Sequence, residues 1–411
     1  MMRTVFAYLL LFLSFVNSSV FGQSLDFQFF KNIALGAKAS TVHCFAQDSL
    51  GILWLGSNNG LYSYDGYSLH SPTDVAVQQQ TFIYSISVLN ATHLALGTGK
   101  GVLLYNYRDD RYEAFPVGGP SDVRSLLLVG NKLWIGSISG LYCYDTKTKK
   151  LINYGENLHK ELDEQAIYAL SSLADKILVG TYKGLYQLDP AHQMIKKLVL
   201  PGYKLGSNQF VNSIFTLSST KNTFVGTEYG LYMYDHKSEK LSKAPVLQSH
   251  PIKSMATKDD RTLLIGTDDG LFAYQPDQQI ITRTKHDSRN LYSLANNIIW
   301  SIYRDRANNI WLGTDLGISL WSSQEMEKSI PIYQFTKSSD GNRFYKVFQD
   351  QAGWYWLGGD NGLIRTKGLG VKILKVIGIV WMRHNTSCHI IVFGIFIRIG
   401  QVICGLLQMV E

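Results

Sequence analysis

Residues 52–65 read ILWLGSNNGLYSYD, and the fold turns on the fact that the chain repeats this phrase. Its parts are an apolar run, a Gly, three small or polar residues, a second Gly, then Leu and aromatics. It returns as HLALGTGKGVLLYN, KLWIGSISGLYCYD, KILVGTYKGLYQLD, TFVGTEYGLYMYD, LLIGTDDGLFAY, IWLGTDLGISLW and WYWLGGDNGLIR. The first glycines are Gly56, Gly97, Gly136, Gly180, Gly226, Gly266, Gly313 and Gly358, spaced 39 to 47 residues apart. The second glycine follows four residues later in every copy, from Gly60 to Gly362.

Helical solenoids share this period but need amphipathic helices. Here the apolar residues alternate or run in short blocks bounded by Gly, Asn and Asp, which is strand behaviour. A period of about 40–50 residues built from short strands points to a β-propeller with one blade per copy. The stretch SIYRDRANNIWLGTDLGISLW predicts strands at 299–304, 310–314 and 318–321, with turns at 305–309 and 315–317. An outer strand is expected at 332–336. The second glycine is expected to hold a positive φ in the hairpin turn. The first is expected where a neighbouring blade excludes a side chain, with the large residue two places before it filling the space between blades. The repeated Gly-Leu-Tyr then places Leu inward and Tyr outward.

Eight copies fit either one eight-bladed ring or a seven-bladed ring followed by the opening blade of a second. The chain divides best as an all-β seven-bladed propeller over 24–342, the first part of a second propeller over 343–370, and a distinct tail over 371–411. The segment LDFQFF, residues 25–30, is placed to add an outer strand that latches the ring shut.

Composition narrows the function classes. The formal charge is +7, but Arg3 lies in a leader and the stretch after Gly370 carries a net +3, leaving about +3 for the body. That charge is too weak and too scattered for a nucleic-acid binder. The 24 Tyr and 8 Trp suit both strands and carbohydrate-binding surfaces. The four Cys form no CxxC pair, so neither a zinc site nor a disulfide framework is expected. At the N-terminus one Arg precedes an apolar run over 5–16, followed by small and polar residues. This is the layout of a signal peptide spanning 1–23, with cleavage after Gly22 or Gln23, so the mature chain is expected in the periplasm.

No cofactor or metal is expected. GTGKG at 97–101 lacks the GKS/T ending and the helix of a phosphate loop. His43, His70 and His93 read as surface or blade residues, and Asp268, Asp269 and Asp315 as turn formers. No nucleophile–base pair stands out, so no catalytic residue is assigned. The connections from one blade's outer strand to the next blade's inner strand vary most between copies, and binding residues concentrate on such loops. Within them His159, Tyr203, Asn208, Arg289, Tyr292 and Asn296 offer stacking rings and donors suited to sugars.

The copies QDSLGILWLGSNNGLYSYDG and YRDRANNIWLGTDLGISLW resemble the two-component regulator propeller repeat. The resemblance covers roughly residues 25–365. It implies the periplasmic sensor part of a hybrid two-component histidine kinase that detects oligosaccharides and regulates glycan-utilisation genes. It further implies a homodimer in the intact family. Kinase motifs and a membrane span are absent from the sequence given, so the chain is read as a sensor fragment and not as an enzyme. The alternatives are a propeller lyase or hydrolase acting on glycans, and a protein-interaction scaffold.

A ninth copy is expected about one period after Trp356, but the residues there change character. Turn signals vanish after Gly370, and Ile and Val dominate. Reverse translation of CHIIVFGIFIRIGQVICGLLQMVE, read one nucleotide earlier, admits MPHNSIRNIYQDRAGNLWIATDGG. That phrase parallels NNIIWSIYRDRANNIWLGTDLG. The tail is therefore read as a frameshift near residues 367–371, in the gene or in its sequencing, with no regular structure of its own. Nucleotide sequencing across these codons is expected to show that the shifted frame runs on into further repeats. A stop codon immediately downstream in that frame would contradict it.

Overall fold

The computed structural model describes residues 29–35, 40–73, 81–157, 162, 165–202, 209–217, 222–323, 344–359, 362–366, 373–377, 380–382, 389–392 and 395–397. Seven four-stranded antiparallel sheets lie within the compact unit Gln28–Glu327. Blade one is Val42–Gln47, Leu53–Ser57, Gly60–Tyr64 and Leu69–His70, paired in that order. The inner strands of blades two to seven are Ile83–Val88, Val123–Val129, Ile167–Leu173, Val211–Leu217, Ile252–Thr257 and Ile299–Arg304. Each inner strand neighbours the next, and that of blade seven returns to that of blade one. The ring has seven blades, which settles the choice that the repeat count left open.

Blade seven takes its outer strand from the other end of the chain. Lys31–Ile33 pairs with Gly317–Trp321 through Lys31–Leu320, Asn32–Ser319 and Ile33–Ile318. This corrects two expectations. The latch lies just beyond 25–30, and it occupies the edge position assigned above to 332–336, a segment outside the described residues. Local chemistry explains the shift. Phe30 is fully buried and meets Trp321 edge-on at 6.0 Å, so it serves as a plug. Asn32 donates to Ser293 O at 2.9 Å and accepts from Ser319 Oγ at 2.8 Å, which suits a strand edge.

Why the first glycine must be glycine is visible at every blade junction. A Cβ at Gly56, Gly97, Gly136, Gly180, Gly226 or Gly266 would lie 2.5–2.9 Å from Ile83, Val123, Ile167, Val211, Ile252 or Ile299 respectively. Each of those is the first residue of the next blade's inner strand and is fully buried. At Gly313 the Cβ would lie 2.9 Å from Val42 Cβ, which carries the same contact from blade seven to blade one.

Side-chain alternation does the rest. Leu185 packs forward with Val225 and Tyr232 of blade five, whereas Tyr186 packs backward with Trp134 and Leu141 of blade three. The Leu and Tyr of Gly-Leu-Tyr therefore reach opposite neighbours. The expected outward Tyr is corrected, because Tyr186 and Tyr232 are buried. A propeller blade has no solvent face, since both sides of each small sheet meet another sheet. Seven apolar clusters result, one per junction. Each fully buried Leu or Ile in them contributes about 1.5–3 kcal/mol.

Polar groups are fitted into this frame by repetition. A buried Ser or Thr follows the first glycine in all seven ring copies. Its hydroxyl donates to the carbonyl of the second glycine at 2.8–3.1 Å. In blades one and seven a buried Asp closes the first turn: Asp48 accepts from Trp54 Nε1 at 3.0 Å, and Asp305 accepts from Trp311 Nε1 at 2.8 Å. Buried indole N–H groups need such partners.

The eighth copy forms a separate sheet of Phe344–Gln349, Tyr355–Gly359, Gly362–Thr366 and Ile373–Ile377. It repeats the Asp–Trp bond, with Trp356 Nε1 donating to Asp350 Oδ2 at 2.9 Å. The tail was expected to carry no regular structure, yet it supplies this sheet's fourth strand. A three-stranded sheet of Val380–Met382, His389–Val392 and Ile395–Ile397 follows. Ile and Val favour extended backbone whatever reading frame wrote them.

The second glycine has the expected geometry, with φ of +129° at Gly230 and +103° at Gly270. A Cβ at Gly230 would also lie 2.7 Å from Leu247 O. Gly230→Val and Gly270→Val are each expected to cost on the order of 1–3 kcal/mol. Unchanged thermal melts in both variants would refute the turn geometry.

Candidate ligand-binding mouth

Every inner strand of the ring opens with a β-bulge. The register slips between Val42 and Cys44, Ile83 and Ser85, Val123 and Ser125, Ile167 and Ala169, Val211 and Ser213, Ile252 and Ser254, and Ile299 and Ser301. The residue before each slip packs against the first glycine of the preceding blade, and the residue after it lies over its own blade's first glycine. The bulged residue between them is left unpaired and re-aimed. These seven residues are His43, Tyr84, Arg124, Tyr168, Asn212, Lys253 and Trp300, and all are half-buried.

They sit at one end of the inner strands, at the mouth of the channel these strands surround, and contacts between them run from blade six through blades seven, one and two to blade three. The Lys253 ammonium sits 4.0 Å from the Trp300 ring centre. The His43 imidazole lies 5.7 Å from both Trp300 and Tyr84. The Arg124 guanidinium stands 4.0 Å over Tyr84. Tyr168 packs at 4.3 Å on Phe210, which Tyr182 meets edge-on at 5.5 Å. Asn212 donates to Glu228 Oε2 at 3.1 Å.

The Gly-x-x-x-Gly turns lie beside the bulges because Ser57 pairs with Val42, and its counterparts do the same in the other blades. Their first variable residue faces the circle. Asp268 holds Lys253 Nζ at 3.0 Å, and Asp315 accepts from Trp300 Nε1 at 2.6 Å and from Thr41 Oγ1 at 3.2 Å. The second variable residue faces away, as Asp269 does toward Arg283 and Lys285. Arg124 is tied to Asp122 at 2.6 Å. Phe82, Ile138, Tyr229 and Leu316, on the same turns and connections, are exposed.

Burial pushes the His43 imidazole down to about 4, against the pull of Asp315 and with the help of Arg124. Its ring is therefore neutral at pH 7 and packs as an aromatic. The same cause, burial, pushes the Tyr168 phenol up, so it stays a neutral donor.

Of the residues singled out from the sequence, His159, Tyr203 and Asn208 lie outside the described residues. Arg289 is exposed and forms a two-point bond to Asp287, at 3.0 and 3.1 Å. Tyr292 supports the latch: its carbonyl accepts from Phe30 N at 2.9 Å and its ring meets Phe29 at 6.1 Å. The Asn296 side chain accepts from Ile298 N at 2.8 Å. The contacts just described for these three run within their own connection and to the latch, whereas the loop-based reading missed the bulge circle. The signal was present, since each bulged residue falls 12 to 14 places before the first glycine of its copy.

Residues 36–59 and 293–315 match the model of the two component regulator propeller. Those stretches contain His43 and Trp300 and both ring Asp–Trp turns. The chain is 42% identical to the extracellular domain of BT4673 from B. thetaiotaomicron, described as a hybrid two component system, with a TM-score of 0.69 over 82% of this chain and 46% of that one. The extracellular domain of BT3049 from the same organism, described likewise, is 22% identical with a TM-score of 0.64, covering 84% and 49%. That second likeness is one of fold. Histidine kinase P4 of Formosa agariphila is 26% identical over 293 residues, 63% of this chain and 20% of that protein. This chain thus spans under half the length of those solved relatives and a fifth of the curated one. It is a seven-bladed propeller, and two of its repeats match the two component regulator propeller. Its likeness is to the extracellular part of hybrid two component systems.

The burial of His43 has a direct readout. In long-range nitrogen–proton spectra its ring is expected to titrate near pH 4, well below an ordinary exposed histidine. A His43 midpoint near 6.5 would contradict the packed circle.

Proposed function

We propose that this chain is the exported, ligand-sensing propeller of a hybrid two-component histidine kinase, and that its channel mouth receives an oligosaccharide. One observation carries the reading. The residue before each bulge is always Val or Ile, and the residue after it is always Cys, Ser or Ala. The bulged residue itself is His, Tyr, Arg, Tyr, Asn, Lys or Trp. Seven copies hold the frame constant and vary the side chains that one face presents. Binding residues on a rigid frame are expected to vary in this way.

The side chains suit a sugar. Rings at Tyr84, Tyr168, Phe210 and Tyr182 offer apolar faces for the C–H side of a pyranose. Asn212 offers a donor, and Glu228 and Asp315 offer acceptors, for hydroxyls. Export is supported by the apolar segment over 5–16 and by the extracellular placement of the relatives. Among the described residues no helix is long and apolar enough to cross a membrane. Ligand binding would be passed to a kinase through the geometry of a homodimer and would set the expression of glycan-utilisation genes. The loop residues His159, Tyr203, Asn208, Arg289, Tyr292 and Asn296 are proposed as a rim around this mouth.

Calorimetry with unmodified gluco-, manno-, galacto- and xylo-oligosaccharides is expected to find a binder among them. Tyr168→Ala should weaken that binding by about tenfold, the value of one aromatic contact of about 1.4 kcal/mol, with little change in melting temperature. Arg289→Ala at the rim should weaken it less. Binding that survives both Tyr84→Ala and Tyr168→Ala would place the site elsewhere.

A further inference from the structure

The charge pattern of the circle narrows the ligand class, on the premise that the mouth is the saccharide site. Among the described residues its inner positions carry four carboxylates, Asp122, Glu228, Asp268 and Asp315, and two cations, Arg124 and Lys253. His43 is neutral at pH 7. Both cations are already engaged twice. Arg124 is paired with Asp122 and lies over Tyr84, and Lys253 is paired with Asp268 and lies over Trp300. The lysines on the same turns, Lys100 and Lys183, occupy the second variable position, which in blade six faces outward. Among the described residues the donors to Asp315 and Glu228 are neutral: Trp300 and Thr41 on Asp315, Asn212 on Glu228.

We infer that the mouth selects uncharged saccharides and rejects uronate or sulfate sugars, with Asp315 and Glu228 as the discriminating residues. A carboxylate accepts hydroxyl hydrogen bonds more strongly than a neutral oxygen does. A ligand carboxylate or sulfate brought to the same oxygens would be repelled, and the spent cations leave little to offset that repulsion. Specificity of this kind is a built-in clash as much as an attraction. Removing the two charges while keeping shape should weaken neutral sugars and relieve the acidic ones.

The test compares the same neutral oligosaccharide panel with oligogalacturonate and a heparin-derived oligosaccharide, by calorimetry at low salt. Acidic members are expected to bind at least tenfold more weakly than the best neutral member. The gap should narrow at 0.5 M NaCl, where charge repulsion is screened, and in Asp315→Asn/Glu228→Gln. The two substitutions preserve size, and each single variant serves as a check if the pair fails to fold. Acidic sugars that bind as tightly as neutral ones, or a gap unchanged in the variants, would overturn the inference and leave the sensory reading standing. Silence across both sets of sugars would overturn the sensory reading and this inference with it.

Discussion

Seven glycines each meet a β-branched residue of the next blade at a distance that leaves no room for a methyl group. This contact is the constraint on which the molecule depends. A four-stranded sheet of this size cannot bury its own faces, so it is stable only when flanked on both sides. The glycine lets the inner strands converge closely enough for the ring to close. The Ile or Val opposite fills the gap with a stiff side chain already suited to extended backbone. The large residues two places earlier, Trp54, Trp134, Phe224 and Trp311 among them, then wedge the blades apart toward the rim.

The bulge next to that contact separates two tasks. Residues on either side of it belong to the frame and scarcely vary. The bulged residue faces the channel mouth and changes from copy to copy, because it lies outside the apolar clusters that fill the junctions. The frame is sealed where the ring begins and ends. Lys31–Ile33 adds an edge to blade seven, and Gly313 meets Val42 across the same seam. Ser301 Oγ also donates to Val42 O there at 3.0 Å. A rigid ring with a variable mouth is a sound base for recognition, since a ligand pays little entropy to order it.

How much of this was legible depended on whether the signal was local. The blade period, the hairpin glycine and the strands at Ile299–Arg304 and Ile310–Thr314 could be read because each is set by residues within a few places of one another. The packing role of the first glycine followed from its lack of a side chain. The latch was displaced by a few residues because LDFQFF is apolar and reads as a strand, whereas the pairing segment holds Lys31 and Asn32. Its partner lies 287 residues away, and the Asn32–Ser319 bond has no local trace. The mouth was missed for a related reason. Loops were chosen for their variability, while the circle sits inside strands, where variation at a single position is easily taken for noise. Aligning the copies on their first glycine, and asking which strand position alone changes type, would have found it.

The N-terminal seal joins all these features, and amide hydrogen exchange measures it directly. In the intact protein, peptides covering residues 29–34 and 316–322 should be strongly protected and should lose protection together as denaturant is added. That is the behaviour of two strands in one closed sheet. Exchange of residues 29–34 at the rate of an unfolded chain, with 316–322 still protected, would contradict the closed seven-bladed ring.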